Sequence, residues 1–203
     1  MATPDLKLIV EALVFAADVP LKVDRLSSLL EVERAALTTI LGALQADYQE
    51  GGRAFELVEV GGGYQFRTRP ELAEYVQRLD PGRAFRLSRA ALESLAIVAY
   101  RQPITRAEID YLRGVDSGRV VKTLLEKRLI RILGKKEVPG RPLIYGTSRD
   151  FLEFFGLKDL SDLPSLKEFS ELTPDQLAGG LQQELEEQDP AELPLTSVPD
   201  LSD

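Results

Sequence analysis

Apolar residues recur at three- and four-residue spacing in the first part of the chain, which predicts amphipathic helices. Three such stretches precede residue 53, at 5–17, 23–30 and about 33–50. Two β-prone runs, 55–60 and 64–68, then flank Gly61-Gly62-Gly63 and predict a β-hairpin. A short helix that begins at Pro70 completes this unit near residue 79.

The same order of elements recurs later in the chain at an offset of 83 residues, so that Pro20 aligns with Pro103 and Leu37 with Val120. The second unit has helical patterns at 88–101, 105–113 and 117–127, β-prone runs at 129–133 and 143–145, and a last helix at 148–155. Three helices followed by a hairpin wing describe a winged helix, a relative of helix-turn-helix. The predicted fold class is mainly α with small β wings (α+β), with two tandem winged-helix domains.

Domain boundaries follow from the repeat and from composition. We predict an N-terminal winged-helix domain at 1–80, a linker at 81–87, a second winged-helix domain at 88–164, and an acidic tail at 165–203. The tail has many prolines and few large apolar residues, so most of it is expected to be disordered. Its stripe of Leu177, Leu181 and Leu185 predicts either a fraying helix or a short partner-binding helix.

Composition excludes several kinds of chemistry. The 203 residues include no Cys and no His, which excludes disulfides, thiol nucleophiles, Ser-His-Asp triads and metal sites with thiolate or imidazole ligands. No cofactor, no metal and no enzyme activity are expected. The longest nearly uncharged apolar run, 12–17, is too short to span a bilayer. The N-terminus does not resemble a secretory signal, so we expect a cytoplasmic protein with no membrane contact.

Charge is distributed unevenly along the chain. Residues 1–80 carry 8 basic and 13 acidic side chains, residues 81–157 carry 15 and 8, and residues 158–203 carry 2 and 12. The net charges are therefore −5, +7 and −10. In the second unit, basic residues occur on helix three and on the wing: Arg119, Lys122, Lys127, Arg128, Lys135, Lys136 and Arg141. Such a patch suits either DNA or an acidic partner protein, so a winged-helix DNA-binding transcription regulator is one alternative.

Arg141 lies in the string Val138-Pro139-Gly140-Arg141-Pro142, where two prolines and a glycine predict a rigid loop tip. Two interpretations stay open at this point. In the first, the loop is a wing turn and Arg141 is solvated. In the second, the rigid loop positions Arg141 to bind a partner carboxylate or phosphate.

Several strings, taken in order, resemble the segregation and condensation protein B family. The most distinctive is 91–109, ALESLAIVAYRQPITRAEI. It is followed by RGVDS at 113–117, KTLLEK at 122–127, VPGRP at 138–142, YGT at 145–147 and FLEFFGL at 151–157. EALVFAA at 11–17 is similar to the opening helix of the family. The resemblance covers about residues 5–164 and does not include the tail.

The resemblance implies a non-enzymatic subunit of the bacterial SMC condensin-like complex, associated with the nucleoid and acting in chromosome condensation and partition. Members of the family are tandem winged-helix dimers that pair through their N-terminal domains. Their C-terminal domains grasp the kleisin, segregation and condensation protein A, which in turn bridges the SMC ATPase heads. Whether DNA is also contacted weakly and non-specifically stays open.

Residues for these contacts follow from chemistry, since aromatic and Arg side chains dominate interface hot spots. For the kleisin, which we expect to present an acidic helix, we place the site on the second unit at Tyr100, Arg101, Tyr111, Arg113, Arg141 and Arg149. Two further aromatic residues there, Tyr145 and Phe154, are expected in the core. For a symmetric dimer we expect the first hairpin to contribute Phe55, Leu57, Tyr64 and Phe66.

Overall fold

Three helices, a two-stranded antiparallel sheet and a terminal helix form the first half of the structure, a computed structural model that describes residues 5–79 and 87–165. The elements are α1 (Leu6–Ala16), α2 (Val23–Leu30), α3 (Arg34–Glu50), β1 (Phe55–Val60), β2 (Gly63–Thr68), a 3-10 turn (Pro70–Leu72) and α4 (Ala73–Leu79). The predicted helices and hairpin are confirmed. We call 5–79 the first half and 87–165 the second half. Most of the predicted linker and tail, including the leucine stripe, lies outside the described residues.

The second half repeats this order with an added strand. Its elements are α5 (Arg89–Arg101), β3 (Ile104–Thr105), α6 (Arg106–Arg113), α7 (Gly118–Glu126), β4 (Ile130–Lys135), β5 (Leu143–Thr147), α8 (Arg149–Phe155) and a 3-10 turn (Leu160–Asp162). The sheet order is β3-β5-β4, and Ile104 pairs with Tyr145. β3 was not predicted from the sequence, because two residues are too few to show a period. In the first half, the counterpart of β3 is an isolated β-bridge between Leu21 and Tyr64.

Side-chain caps position the helices of the second half. Thr105 and Glu108 form a capping box at the start of α6, since the Glu108 carboxylate accepts a 2.8 Å hydrogen bond from the Thr105 N–H and the Glu108 N–H donates to the Thr105 hydroxyl. The Ser148 side chain caps α8. At α7, Asp116 accepts from the Gly118 N–H at 2.6 Å, while the Ser117 hydroxyl donates to Asp110. Asp116 therefore provides the side-chain cap of α7.

Each half has a hydrophobic core of its own. In the first half, the buried stripes of α1, α2 and α3 pack on the inner face of the hairpin: Val10, Val14, Leu26, Leu37, Leu41, Leu44, Tyr48, Leu57 and Tyr64. In the second half, the equivalent set is Ala91, Leu95, Val98, Ala99, Ile104, Ile109, Val121, Leu124, Leu129, Ile130, Tyr145 and Phe151. The predicted fold, two winged helices in tandem, is confirmed.

Burial corrects the position of three predicted residues. Leu57 and Tyr64 are only 3% and 7% exposed because they face the first core, so their side chains are not available on the surface of a single chain. Phe154 was expected in the core but is 43% exposed, whereas its neighbour Phe151 is 3% exposed. Residues three apart on a helix need not be equally buried when the buried stripe is narrow.

The tip of the first hairpin lies against α8 and the turn that follows it. Gly61 and Gly62 have φ of 57° and 70°, a conformation that favours glycine. Their N–H groups donate to the Leu157 and Lys158 carbonyls at 2.9 and 3.0 Å. Two side-chain contacts join the same surfaces, from Arg67 to the Glu153 carbonyl at 2.7 Å and from Lys158 to Glu59 at 3.0 Å. Main-chain hydrogen bonds thus connect the two halves.

Candidate partner-binding surfaces

A groove of about 280 Å³ lies on the second half, between the end of α5, β3 and α6. Its lining combines apolar and charged side chains: Arg101, Pro103, Ile104, Glu108, Tyr111 and Leu112. We call it the second-half groove. Tyr111 is 86% exposed, although a tyrosine ring carries a large apolar surface. An aromatic side chain this exposed at the edge of an apolar groove is the arrangement that an interface hot spot uses.

Local sequence explains why α6 presents this face. Thr105 and Glu108 cap the helix at its first turn, and Ile109 is fully buried in the second core. Anchoring at Ile109 directs Tyr111, two positions later, away from the core. Leu112 lies nearer the buried face and is 48% exposed. The orientation of α6 at the groove is therefore fixed by one capping box and one buried residue, all within residues 105–109.

Electrostatics at the groove are set by two charged residues. A 2.7 Å hydrogen bond from the Lys136 ammonium, helped by donors from Thr105, lowers the pKa of Glu108 to about 2. Glu108 is therefore charged at neutral pH and already paired. Arg101 is exposed and makes no ion pair within the part of the chain that the structure describes. Arg101 is thus the cation of the groove that remains available to a partner carboxylate.

The structure brings together two of the six residues predicted to bind the kleisin, Arg101 and Tyr111. Tyr100 is half-buried and packs against the second core. Arg141 lies on the wing, where it forms an ion pair with Glu137 at 2.9 Å. Arg149 lies where the halves meet and donates to the Pro20 carbonyl. Neither Arg141 nor Arg149 lines the second-half groove.

Arg113 connects two helices of its own domain. Its side chain is only 9% exposed, and its Nη2 lies 3.3 Å from a Glu93 carboxylate oxygen, so it joins α6 to α5. Its Nε is buried with no hydrogen-bond partner among the described residues. Reversing this charge would place a carboxylate beside Glu93 in a nearly buried site, which is destabilising. Arg113 is therefore unsuitable for a charge-reversal test of binding, and Arg101 is the suitable probe.

A second groove, of about 310 Å³, lies on the first half between α1, α3 and the hairpin. It is lined mainly by aromatic residues: Leu8, Glu11, Ala12, Phe15, Tyr48, Phe55 and Phe66. We call it the first-half groove. Phe15 is 74% exposed and meets Phe66 edge-on, with ring centroids 6.3 Å apart. Burial and a hydrogen bond to Glu11 raise the pKa of Tyr48, so its hydroxyl stays protonated at neutral pH.

This groove contains two of the four residues predicted for the dimer, Phe55 and Phe66. Sequence analysis missed Leu8 and Phe15, which lie seven positions apart and thus on one face of α1. A signal was present, because α1 has apolar residues on more than one face and such a helix is covered on more than one side.

Comparisons with known proteins identify relatives. The family model "Segregation and condensation complex subunit ScpB" matches residues 8–166. Segregation and condensation protein B of Syntrophotalea carbinolica is 62% identical over 173 residues, which are 85% of this chain and 88% of that protein.

Two solved structures are also similar. ScpB from Mycobacterium tuberculosis is 34% identical, covering 77% of this chain and 99% of that one, with a TM-score of 0.37. A dimer of an ScpB N-terminal domain complexed with an ScpA peptide is 36% identical, covering 36% of this chain and 91% of that one, with a TM-score of 0.34. With TM-scores this low, the sequence identities carry the relationship. Among the described residues, no helix is long and apolar enough to cross a membrane.

Proposed function

We propose that this chain, which belongs to the segregation and condensation protein B family, is a non-enzymatic subunit of the SMC condensin-like complex and acts in chromosome condensation and partition. It pairs with a second copy of itself and binds the kleisin, through which it reaches the SMC ATPase. Family membership supports this role, because the match spans residues 8–166 and therefore both winged helices. The two exposed grooves supply surfaces for the two contacts.

For the kleisin we propose the second-half groove. The observation that carries this placement is the exposed ring of Tyr111 beside Arg101, which makes no ion pair within the described ranges. A helix with an apolar stripe fits a groove of this kind. Acidic residues on that helix would pair with Arg101, and an Arg–carboxylate pair of this type is charge-assisted and directional.

For self-pairing we propose the first-half groove, around Phe15, Phe55 and Phe66. These rings retain exposed surface, whereas Leu57 and Tyr64 are committed to the core of their own chain. An exposed apolar patch of this kind is covered most simply by the same patch on a second copy, across a twofold axis. The exposed ring of Phe15 is the principal anchor of this contact.

Two matched aromatic deletions test both placements in the full chain. Tyr111→Ala and Phe15→Ala each remove an exposed ring, one from each groove, and Arg101→Glu adds a charge reversal. Kleisin affinity is measured by isothermal titration calorimetry, and the mass of the free chain is measured by light scattering after size-exclusion chromatography. Loss of a hot-spot aromatic costs about 2 kcal/mol or more, roughly a thirtyfold change in affinity.

We expect Tyr111→Ala and Arg101→Glu to weaken kleisin binding while the chain remains a dimer. We expect Phe15→Ala to shift the free chain toward monomer. If Phe15→Ala weakens kleisin binding and Tyr111→Ala does not, the kleisin lies on the first half and our assignment is reversed. If neither Tyr111→Ala nor Phe15→Ala changes the kleisin affinity or the mass of the free chain, both placements are wrong.

A further inference from the structure

The second half contains a helix-turn-helix whose second helix carries exposed basic residues. α6 and α7 are joined by a four-residue turn, 114–117, in which Gly114 has a φ of 70°. A turn of three or four residues that contains glycine is typical of this motif. In DNA-binding examples the second helix enters the major groove, with its first residues nearest the bases. Here that helix is α7, and Arg119 is exposed in its first turn.

The basic charge follows the chain from α7 into the wing. Residues 117–136 include one acidic residue, Glu126, and seven basic ones: Arg119, Lys122, Lys127, Arg128, Arg131, Lys135 and Lys136. The equivalent segment of the first half, 34–53 at the offset of 83, has two basic and two acidic residues. The first half forms the same fold without this charge, so the fold does not require it. Its turn also has two acidic residues, Glu31 and Glu33, which would repel phosphates, whereas the turn of the second half has one, Asp116, whose carboxylate accepts a hydrogen bond from the Gly118 N–H.

Two of the seven cations are neutralised within the chain. Lys136 pairs with Glu108 at 2.7 Å, and Lys122 lies 3.7 Å from Glu126. Four others are exposed and make no ion pair within residues 5–79 and 87–165: Arg119, Arg128, Arg131 and Lys135. We call these four residues the basic strip. Arg131 donates from Nε to the Thr147 carbonyl at 3.3 Å, which orients its guanidinium. α7 packs against β4, so the strip continues from one element to the next.

We propose that the basic strip binds the phosphates of double-stranded DNA. The residues of the strip do not line the second-half groove, so the proposed DNA contact and the proposed kleisin contact use different residues. Phosphate contacts give affinity and orientation but no sequence preference. The proposed contact therefore differs from that of a transcription regulator, and it goes beyond the kleisin-binding role.

Duplex DNA fits this surface better than a protein or duplex RNA. The exposed face of α7 presents Arg119, Lys122 and Glu126, without the aromatic or aliphatic anchor that a protein interface requires. Exposed aliphatic side chains of this surface, Ile132 and Leu133, lie on β4. The major groove of DNA, about 12 Å wide, admits an α-helix. The major groove of duplex RNA is too narrow to do so.

Fluorescence anisotropy of the full chain with labelled 30-base-pair DNA tests the proposal. Two duplexes of unrelated sequence are titrated between 50 and 200 mM salt, with a duplex RNA of the same length alongside. Each phosphate contact contributes about −0.9 to the slope of log affinity against log salt, so four contacts predict a slope of roughly −3.6. The two DNA sequences are expected to bind with affinities within about twofold of each other.

The test variant is Arg119→Ala/Lys135→Ala, and its control is Lys22→Ala/Arg25→Ala on the first half, which removes the same charge from exposed positions. The test variant should reduce the slope by about 2 and weaken DNA binding roughly fiftyfold near 100 mM salt. The control should bind DNA as the unaltered chain does. Kleisin affinity and the thermal transition should be unchanged in both variants, because the four side chains are exposed and make no ion pair in the described part of the chain.

Four results would overturn the proposal. They are no binding to DNA at 50 mM salt, equal loss of binding in the test variant and the control, tighter binding of the RNA duplex, and loss of kleisin binding in the test variant. The last result would make the strip a protein interface. If the double variant loses its thermal transition, Lys135→Ala alone is compared with Lys22→Ala, with an expected loss of roughly eightfold.

Discussion

The Arg149 guanidinium donates a 2.6 Å hydrogen bond from Nη2 to the main-chain carbonyl of Pro20, which lies 129 positions earlier in the chain. Arg149 also forms an ion pair with Glu153 one helical turn away, at 3.0 Å. Pro20 is buried, so few other donors can reach its carbonyl. Together with the main-chain contacts of Gly61 and Gly62, this bond ties α8 to the first half. Any displacement of one half against the other must break it.

Arg149→Ala should therefore destabilise the chain by about 1–3 kcal/mol, because it leaves a buried acceptor without its charged donor. The measurement is the urea midpoint of unfolding. Arg89→Ala is the control, since Arg89 is highly exposed and, among the residues that the structure describes, pairs with Glu93; a surface pair contributes at most about 1 kcal/mol. Equal midpoints for the two variants would contradict the structural role of Arg149.

Replacing glycine by alanine is expected to have opposite effects on stability at positions 63 and 42. A Cβ at Gly63 would lie 2.9 Å from the carbonyl carbon and oxygen of Pro20, which are main-chain atoms that cannot move aside. Gly63→Ala should therefore destabilise the first half by more than about 1 kcal/mol. A Cβ at Gly42, within α3, would meet nothing within 4 Å.

Gly42→Ala should stabilise the chain by up to about 1 kcal/mol, because alanine has the higher helix propensity. Thermal melts of the two variants under the same conditions check both signs. Stabilisation by Gly63→Ala would show that the hairpin and the Pro20 loop do not approach closely.

Acid should remove a stabilising contribution of Glu108. The folded-state pKa of Glu108 is about 2, below the ordinary value of 4.5, because of the Lys136 and Thr105 hydrogen bonds. A lowered pKa stabilises the fold above the ordinary value, and this contribution is lost as the pH falls from about 4.5 to about 2. Glu108→Gln keeps a residue suited to the capping box but removes the charge.

The difference in urea midpoint between the unaltered chain and Glu108→Gln should accordingly be largest above pH 5 and should shrink toward pH 2. Glu126→Gln serves as the control, since Glu126 is exposed and lies 3.7 Å from Lys122. A difference that stays constant from pH 6 to pH 2 would show that the hydrogen bonds from Lys136 and Thr105 do not lower the pKa of Glu108.

Neighbouring aromatic residues of α8 should differ strongly in their contribution to stability. Phe151 belongs to the second core, so Phe151→Ala should cost about 3–5 kcal/mol. Phe154 is 43% exposed, and Phe154→Ala should cost clearly less. Denaturant unfolding of both variants measures the difference. Equal costs would restore the expectation that both rings lie in the core.

Local order along the chain was predictable from sequence because short-range physics determines it. The capping box at Thr105 needs only a residue three positions away, and the hairpin turn needs glycines that tolerate positive φ. The apolar period of each helix, and the repeat at an offset of 83, are likewise properties of neighbouring residues. The winged-helix fold could therefore be predicted before any coordinates, whereas the family resemblance rests on particular residue strings such as 91–109.

Only the tertiary structure decided which side chains are available to partners. Arg101, Arg113 and Arg149 have the same chemistry, yet one is exposed at a groove, one is nearly buried beside Glu93, and one is hydrogen-bonded to Pro20. Likewise, Tyr64 faces a core while Phe66 borders a groove. Burial depends on what the fold brings opposite each residue, from tens of positions away in the chain, and neither composition nor periodicity contains that information.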